Sequence, residues 1–291
     1  MLPGYSTNSI GDVDPLDAVP ILCDLGYESL AITLDHHTIN PFAGDLPTRV
    51  TRWRKALADV GMACVIETGA RHLLDLTVKH EPTLVSSDPS ARARRIDFTR
   101  RAIDVAADLG AGCVSLWSGV GRDGAALETF GGRLADGLAE IVTYAAQAGV
   151  VVAFEPEPGM VIDTLARAAT LFDRLGRPSA LRLTVDIGHM ECMGEWPSAA
   201  PLRPWHGMIA NVHVDDMLAC RHEHLPLGTG NVDLTAALAA LAAAGYRGGL
   251  HVELPRQSHR WLETARQSAA VLKKRCQKRC QPPNLGKLLL S

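Results

Sequence analysis

The sequence has little of what marks several large classes of protein. Aromatic residues make up 5% of its 291 residues, and the formal net charge is −3. Without a positive balance there is no sign of a nucleic-acid-binding surface, so we expect no nucleic-acid partner. No apolar run is long enough to span a bilayer, and the first residues lack the basic start and apolar core of a signal peptide. We therefore expect a cytoplasmic protein with no membrane partner.

The cysteines form no disulfide framework either. The chain has 7 of them, an odd number without even spacing. No two cysteines in the body of the chain form a metal-binding pair. This usage is typical of reduced thiols in a cytosolic protein.

What the sequence does contain is a regular alternation of short apolar runs and helical patterns. With 47% hydrophobic residues it can fill one large core. The alternation predicts an α/β fold, a single-domain (β/α)8 TIM barrel over residues 1–274. The basic segment 275–291 is predicted to be a disordered tail. The predicted strands are 2–9, 29–34, 63–67, 113–117, 150–155, 181–186, 209–213 and 249–253. Among the predicted helices, one is capped by Asp88-Pro89 and ends at Leu109-Gly110, and another spans residues 134–148.

The last four of these strands each end on a carboxylate or an imidazole. The fifth strand is an apolar, β-branched run that stops at Glu155, because Pro156 cannot donate to the sheet ladder. Three later strands end at Asp186, His213 and Glu253. The carboxyl ends of the strands form the rim where α/β barrels keep their chemistry. Carboxylates gathered there would repel one another without a cation, and mixed oxygen and nitrogen ligands suit Mn²⁺, Mg²⁺, Co²⁺ or Zn²⁺.

Two other interpretations apply to these strand ends. A single acid at the end of a strand often caps the helix that follows, although four such endings in succession make that account weak for the set. Glu157 is the alternative to Glu155, but it lies two residues beyond the end of the predicted strand. We therefore favour Glu155 at the rim.

The motifs around these residues resemble those of the xylose isomerase-like sugar isomerase/epimerase superfamily. Its members include tagatose and psicose epimerases, hydroxypyruvate isomerase, inosose dehydratase and AP endonucleases. The resemblance covers about residues 2–274, and it implies that Glu155, Asp186, His213 and Glu253 hold one divalent metal ion. It also implies that Glu155 and Glu253 act as the acid and base of an epimerase. The motifs are Asp186-Ile-Gly-His189, His213-Val-Asp-Asp216, Leu227-Gly-Thr-Gly-Asn-Val-Asp233 and His251-Val-Glu253.

The resemblance further implies which residues contact a sugar-like substrate. His189 stands at a substrate-contacting position of the family, the alternative being an ordinary loop histidine. The segment containing Arg221, His222 and His224 closes over substrate in the superfamily, and the sequence does not decide which of the three reaches inward. Arg221 and His224 are our candidates.

Two more residues, His72 and Trp117, are expected on rim loops as walls of the sugar pocket. For Trp117, plain packing at the rim is an equally good interpretation. His251 shares the parity of Glu253 along its strand, and we predict a packed, hydrogen-bonded histidine inside the barrel.

The expected function is metal-dependent isomerisation or epimerisation of a small keto-sugar, sugar phosphate or polyol-derived substrate. A divalent ion that holds the carbonyl and adjacent hydroxyl oxygens would acidify the intervening C–H and stabilise the enediolate. A carboxylate on each side of the carbon can then remove and return the proton. The sequence sets no oligomeric state and is compatible with a homo-oligomer.

The alternatives are an inosose dehydratase-like lyase, which shares the first step, and a barrel that binds a ligand without turnover. An AP endonuclease is disfavoured because the third and fourth strands lack the histidines of its three-metal cluster. In their place stand Glu67 and Trp117, and His222 replaces an aspartate that this branch requires.

Overall fold

The predicted strands close into a barrel. The structure, a computed structural model, describes residues 1–196 and 200–277. The barrel strands are β1 (Leu2–Ser6), β2 (Ser29–Thr33), β3 (Ala63–Glu67), β4 (Val114–Trp117), β5 (Val152–Glu155), β6 (Leu181–Asp186), β7 (Ile209–Val214) and β10 (Gly249–Val252). Within the described chain they pair in parallel as one closed ring in the order β1-β10-β7-β6-β5-β4-β3-β2. The fold is the predicted single-domain (β/α)8 TIM barrel.

Helices connect the strands and pack around the ring. Asp14 and Asp88 each cap a helix with proline in its first turn, and their carboxylates accept the backbone N–H groups of Leu16 and Ser90. Glycine ends several of the helices, as Gly110 does after Leu109 at φ 66°, because glycine adopts the left-handed conformation without strain. The helices are α1 (Pro15–Asp24), α2 (Leu46–Val60), α3 (Pro89–Leu109), α4 (Leu127–Ala148), α5 (Leu165–Arg174), α6 (Ile187–Cys192), α7 (Leu234–Ala243) and α8 (Trp261–Gln277).

Some elements differ from the sequence prediction. The first strand stops at Ser6, and residues 7–9 form a 3₁₀ turn that carries Asn8. The helix predicted from residue 134 begins at Leu127. Neither the short helix α6 nor an antiparallel hairpin, β8 (Asp216–Leu218) with β9 (Arg221–Leu225), was predicted. The hairpin follows β7 and brings a further segment of chain to the rim.

Small side chains line the inside of the barrel. Ala31, Val65, Cys113 and Ala153 form a cluster of their own, separate from the large core between strands and helices. Their size leaves space within the ring for polar side chains. No helix among the described residues is long and apolar enough to cross a membrane. Most of the predicted tail, from residue 278 onward, lies outside the described residues.

Candidate active site

Strand register places the four predicted ligand residues together at one rim. Glu155 ends β5 and Asp186 ends β6, while His213 is opposite Asp186 in the register between β6 and β7. Glu253 directly follows β10, and β10 pairs with the side of β7 that faces away from β6. These residues therefore come from four adjacent strands, and their side chains converge.

His213 is the centre of that convergence. Its Nδ1 lies 3.0 Å from Glu155 Oε1, 3.3 Å from Glu253 Oε2 and 3.9 Å from Asp186 Oδ2. Atoms that share one divalent ion at bonds of about 2.1 Å lie roughly 3 Å apart or a little more. The two glutamates have this spacing from the imidazole nitrogen, and Asp186 completes the group from slightly farther away.

Asp186 has an unsatisfied oxygen. Its Oδ1 caps α6 by accepting the backbone N–H of His189 at 2.9 Å, but its Oδ2 is buried without a hydrogen-bond partner among the described residues. Burial would raise the pKa of Asp186, but the nearby His189, His224 and His213 hold it at about 2. A buried carboxylate oxygen of this kind is costly unless a cation neutralises it.

The two glutamates have unlike environments. Burial raises the pKa of Glu155 to about 7, although the adjacent His213 opposes that change. Burial would also raise the pKa of Glu253, but His213 and His224 lower it, helped by a 2.8 Å hydrogen bond from Asn8 Nδ2. One carboxyl group is thus biased towards its protonated form and the other towards its ionised form.

The donor set fits a divalent cation. Three carboxylates and one imidazole nitrogen supply hard oxygen and borderline nitrogen ligands, which suit Mg²⁺, Mn²⁺, Co²⁺ and Zn²⁺. The unpartnered Asp186 Oδ2 faces the same group of atoms, 3.9 Å from His213 Nδ1. The structure brings the four predicted ligands together, and their role in metal binding stays a prediction.

A cavity of about 440 Å³ opens at this group and is large enough for a small sugar. His72 and Trp117 both line it, as does Glu157, the alternative to Glu155. Trp117 also packs on the buried Arg95, whose guanidinium carbon lies 4.5 Å from the ring centroid. The tryptophan therefore both packs at the rim and borders the cavity.

The hairpin brings two of its histidines to the cavity. His222 and His224 line it, and they cluster with His189, whose Nε2 lies 3.1 Å from His222 Nε2. Arg221 does not line it; its side chain is 63% exposed and pairs with Glu223 at 2.9 Å. Residues on one face of a strand alternate, so the two histidines share a face that Arg221 does not.

The three histidines of this cluster differ in electrostatics. Burial lowers the pKa of His189 to about 3. Burial also acts to lower the pKa of His224, but contact with the buried Asp215 raises it to about 10. His189, His222 and His224 offer a second set of candidate metal ligands beside the first.

Several site residues were not predicted from the sequence. Glu67, at the end of β3, contacts His213 Nε2 at 2.8 Å. It is a strand-end carboxylate like the others, so the same rule would have found it. Asn8 and Asp215 could not be assigned roles from the sequence, because their contacts with Glu253 and His224 form only in the folded chain.

Comparison with known proteins identifies relatives along most of the chain. The model of the xylose isomerase-like TIM barrel family matches residues 20–275. The L-ribulose-5-phosphate 3-epimerase UlaE of Shigella flexneri serotype 5b is 30% identical over 261 residues, spanning 87% of this chain and 88% of its own. The UlaE protein of Salmonella typhi is 28% identical over 260 residues, with 87% of each chain covered.

Solved structures show the same fold at lower identity. An L-ribulose 3-epimerase superposes with a TM-score of 0.75 at 21% identity, covering 97% of this chain and 99% of its own. A D-allulose 3-epimerase from Methylomonas gives 0.75 at 20% identity over 94% of this chain and 97% of its own. These structures share the fold, and the sequence relatives support an enzyme of the isomerase/epimerase kind. The chain belongs to the xylose isomerase-like TIM barrel family.

Proposed function

We propose that this protein is a divalent-metal-dependent 3-epimerase of a small ketose. The observation that carries the proposal is the pair of carboxylates, Glu155 and Glu253, that flank His213 Nδ1 at 3.0 and 3.3 Å on the cavity wall. Epimerisation needs a base on one face of a carbon and an acid on the other. Relatives that span most of the chain are named as 3-epimerases.

Glu155, Asp186, His213 and Glu253 would hold a divalent ion, which would supply positive charge for the oxyanion that develops when the substrate loses its proton. Glu253, which accepts a hydrogen bond from Asn8 Nδ2, takes the C3 proton in one direction of reaction, and Glu155 gives a proton to the opposite face. The roles exchange in the reverse direction, and the C3–H bond broken on one face is re-formed on the other.

The substrate is a ketose or its phosphate ester. The UlaE relatives act on a ketose 5-phosphate, whereas the structural relatives include enzymes of free ketoses. Arg71, Lys79 and Arg256 line the cavity beside its carboxylates, and they offer positive charges with which an anionic group of the substrate can pair. We therefore place the phosphate ester first.

The test is a substrate panel in D₂O. Protein stripped of metal is assayed with and without Mn²⁺ on free ketopentoses, ketohexoses and their phosphate esters, and products are analysed by NMR. The proposal requires a C3 epimer that carries one deuteron at C3, formed only when metal is present. Loss of water from the product would instead indicate a lyase. Full activity in protein shown by elemental analysis to be metal-free would contradict the proposal.

A further inference from the structure

A chain of hydrogen bonds runs through the barrel interior and ends at His213. Ser29 Oγ lies 2.8 Å from His251 Nε2, and His251 Nδ1 lies 2.8 Å from Asn211 Oδ1. Asn211 Nδ2 then donates to Glu67 Oε1 at 3.0 Å, and His213 Nε2 lies 2.8 Å from that same oxygen. All five residues are buried, and the most exposed of them, Glu67, has 8% of its surface accessible.

Two glycines make room for His251, which lies in the middle of this series of hydrogen bonds. A Cβ atom at Gly4 would lie 2.5 Å from His251 Cδ2, and one at Gly249 would lie 2.5 Å from His251 Nε2. Carbon atoms do not approach other heavy atoms that closely, so any larger residue at either position would displace the ring. The imidazole of His251 is therefore held in one place by both packing and hydrogen bonds.

The chemistry of each group sets the direction of the chain. His251 Nδ1 donates to Asn211 Oδ1, which leaves the amide nitrogen of Asn211 as the group that faces Glu67. An ionised carboxylate only accepts hydrogen bonds. Asn211 Nδ2–H and His213 Nε2–H therefore both donate to Glu67 Oε1, and neutral His213 carries its proton on Nε2.

Without Glu67 the opposite tautomer becomes available. Asn211 Nδ2 lies 3.1 Å from His213 Nε2, close enough to donate to that nitrogen if it were bare. The proton of His213 would then sit on Nδ1, the atom that faces Glu155. An N–H group there cannot bind a metal ion, because a ligand imidazole nitrogen needs its lone pair.

We propose that Glu67 is a positioning residue that accepts the Nε2 proton of His213 and so keeps Nδ1 free for the divalent ion. Ser29 and His251 orient Asn211, whose amide nitrogen donates to the same oxygen of Glu67. Glu67 faces Nε2 and the other carboxylates face Nδ1, which sets it apart from the metal ligands. This inference rests on the metal site of the proposed function.

The first test measures metal affinity by calorimetry on metal-stripped protein at pH 7.5. Glu67→Gln keeps the shape of the side chain but removes the negative charge that holds the Nε2 proton of His213, so Mn²⁺ affinity should fall about 10–100-fold, as for loss of a carboxylate that supports a ligand histidine. Ser29→Ala, at the far end of the chain, should give a smaller loss in the same direction. Glu81→Gln is the matched control, because its carboxylate pairs with Arg122 away from the metal site, and it should bind Mn²⁺ as the wild type does.

A second measurement separates positioning from a general structural role. In the Zn²⁺-loaded wild type, the Nε2 proton of His213 should give a downfield NMR resonance, as a proton shared with a carboxylate does, and in Glu67→Gln it should move upfield. The melting temperature of each metal-free variant shows whether it is folded. If Glu67→Gln fails to fold, Ser29→Ala and a crystal structure of the Mn²⁺-loaded wild type decide the question.

The outcomes separate this inference from the proposed function. Wild-type protein that binds no Mn²⁺ overturns both. Wild-type binding with equal affinity in a folded Glu67→Gln variant overturns the positioning role alone. A crystal structure with Mn²⁺ bonded to Glu67 overturns it as well, whereas Mn²⁺ on His213 Nδ1 with Glu67 on Nε2 supports it. If Glu67→Gln does not fold, an unchanged Mn²⁺ affinity in Ser29→Ala overturns the proposed role of the hydrogen-bonded series from Ser29 to Glu67.

Discussion

Charged side chains occupy two contrasting regions of this barrel, the outer surfaces of the helices and the rim around His213. On the helices, charges of opposite sign pair in the open: Lys55 and Asp59 on α2 are 2.6 Å apart with side chains 74% and 57% exposed. At the rim, Glu155, Asp186 and Glu253 are brought together, and Asp186 is only 2% exposed. On the helix surface these charges have partners of opposite sign, whereas at the rim three carboxylates gather around the single imidazole of His213.

The contrast shows which charges serve stability and which serve chemistry. Exposed ion pairs are screened by water and contribute little to the free energy of folding. Buried carboxylates of like sign cost folding free energy, and a protein retains such groups where a ligand or reaction uses them. The predictions below test this division, beginning with the largest expected effect.

Removing a rim carboxylate should affect turnover far more than folding. We expect Glu253→Gln to lower kcat roughly 10²–10⁴-fold at saturating Mn²⁺, as for loss of a general base. Its metal-free melting temperature should stay close to that of the wild type. Steady-state kinetics with separately measured Mn²⁺ binding would show this. Glu263→Gln, on the exposed surface of α8, is the control and should retain full turnover, and an unchanged kcat in Glu253→Gln would remove that residue from the catalytic role.

Metal should offset the cost of the rim charges. An ion that binds only the folded protein adds about 2.7 kcal/mol to the unfolding free energy at a hundredfold excess over Kd. We expect Mn²⁺ to raise the melting temperature at pH 7.5 and to raise it less at pH 5.5, because protons compete with the ion for its ligands.

His213→Ala should lose most of that rise at both pH values. His206→Ala is the matched control, since His206 is an exposed histidine beside Gly245, after α7, and does not line the cavity. Thermal melts with and without Mn²⁺ compare them. An equal rise in His213→Ala and wild type would place the ion elsewhere, for instance at the cluster of His189, His222 and His224.

The stability of the metal-free protein should fall with rising pH because the buried Glu155 carboxyl group ionises. Its pKa is raised to about 7 by burial, so the folded state holds this proton more tightly than the unfolded state does. The contribution of this proton to the unfolding free energy is fully present below the ordinary glutamate pKa, and it is lost as pH rises through about 7, the pKa of folded Glu155.

Glu155→Gln has no proton to lose, so its unfolding free energy should fall less between pH 5 and pH 8 than that of the wild type. Denaturant unfolding in the presence of a chelator measures both proteins, and identical pH dependence would contradict the assignment. With saturating Mn²⁺ the wild type should be the more stable protein at pH 8, because Glu155→Gln lacks one ligand of the ion.

The smallest effect is expected on the helix surface. Lys55→Met breaks the ion pair with Asp59 on α2 and should change the unfolding free energy by less than about 0.5 kcal/mol. Denaturant midpoints at low and high salt would measure it. A loss comparable to that from a buried rim residue would mean that the two regions do not differ as described.

Much of the fold could be predicted because local signals and burial agree. The strands 63–67 and 181–186 have the predicted bounds, and α3 begins after Asp88 and ends at Leu109 as expected. Buried parallel strands are short apolar runs, and aspartate, proline and glycine mark the helix ends. The predicted hydrogen-bonded histidine inside the barrel is His251, which is fully buried between Ser29 and Asn211.

The missed elements have weak local signals. Helix α6 is six residues long and contains Gly188, and its cap is Asp186, the carboxylate that also belongs to the site. Strand β9 carries four polar residues before Leu225 and is mostly half-buried, so it shows no apolar alternation. A short helix next to a strand end and a polar hairpin strand owe their stability to the contacts around them, which a single sequence does not display.

The sequence by itself determined that acids and a histidine would end successive strands, because strand order follows chain order in a (β/α)8 barrel and parallel strands share one rim. Only the tertiary structure decided which atoms face one another. Glu67 contacts the far nitrogen of His213, and the hairpin turns His222 and His224 towards the cavity while Arg221 points outward. These choices depend on barrel closure and side-chain rotamers, and both are set by contacts between residues far apart in the chain.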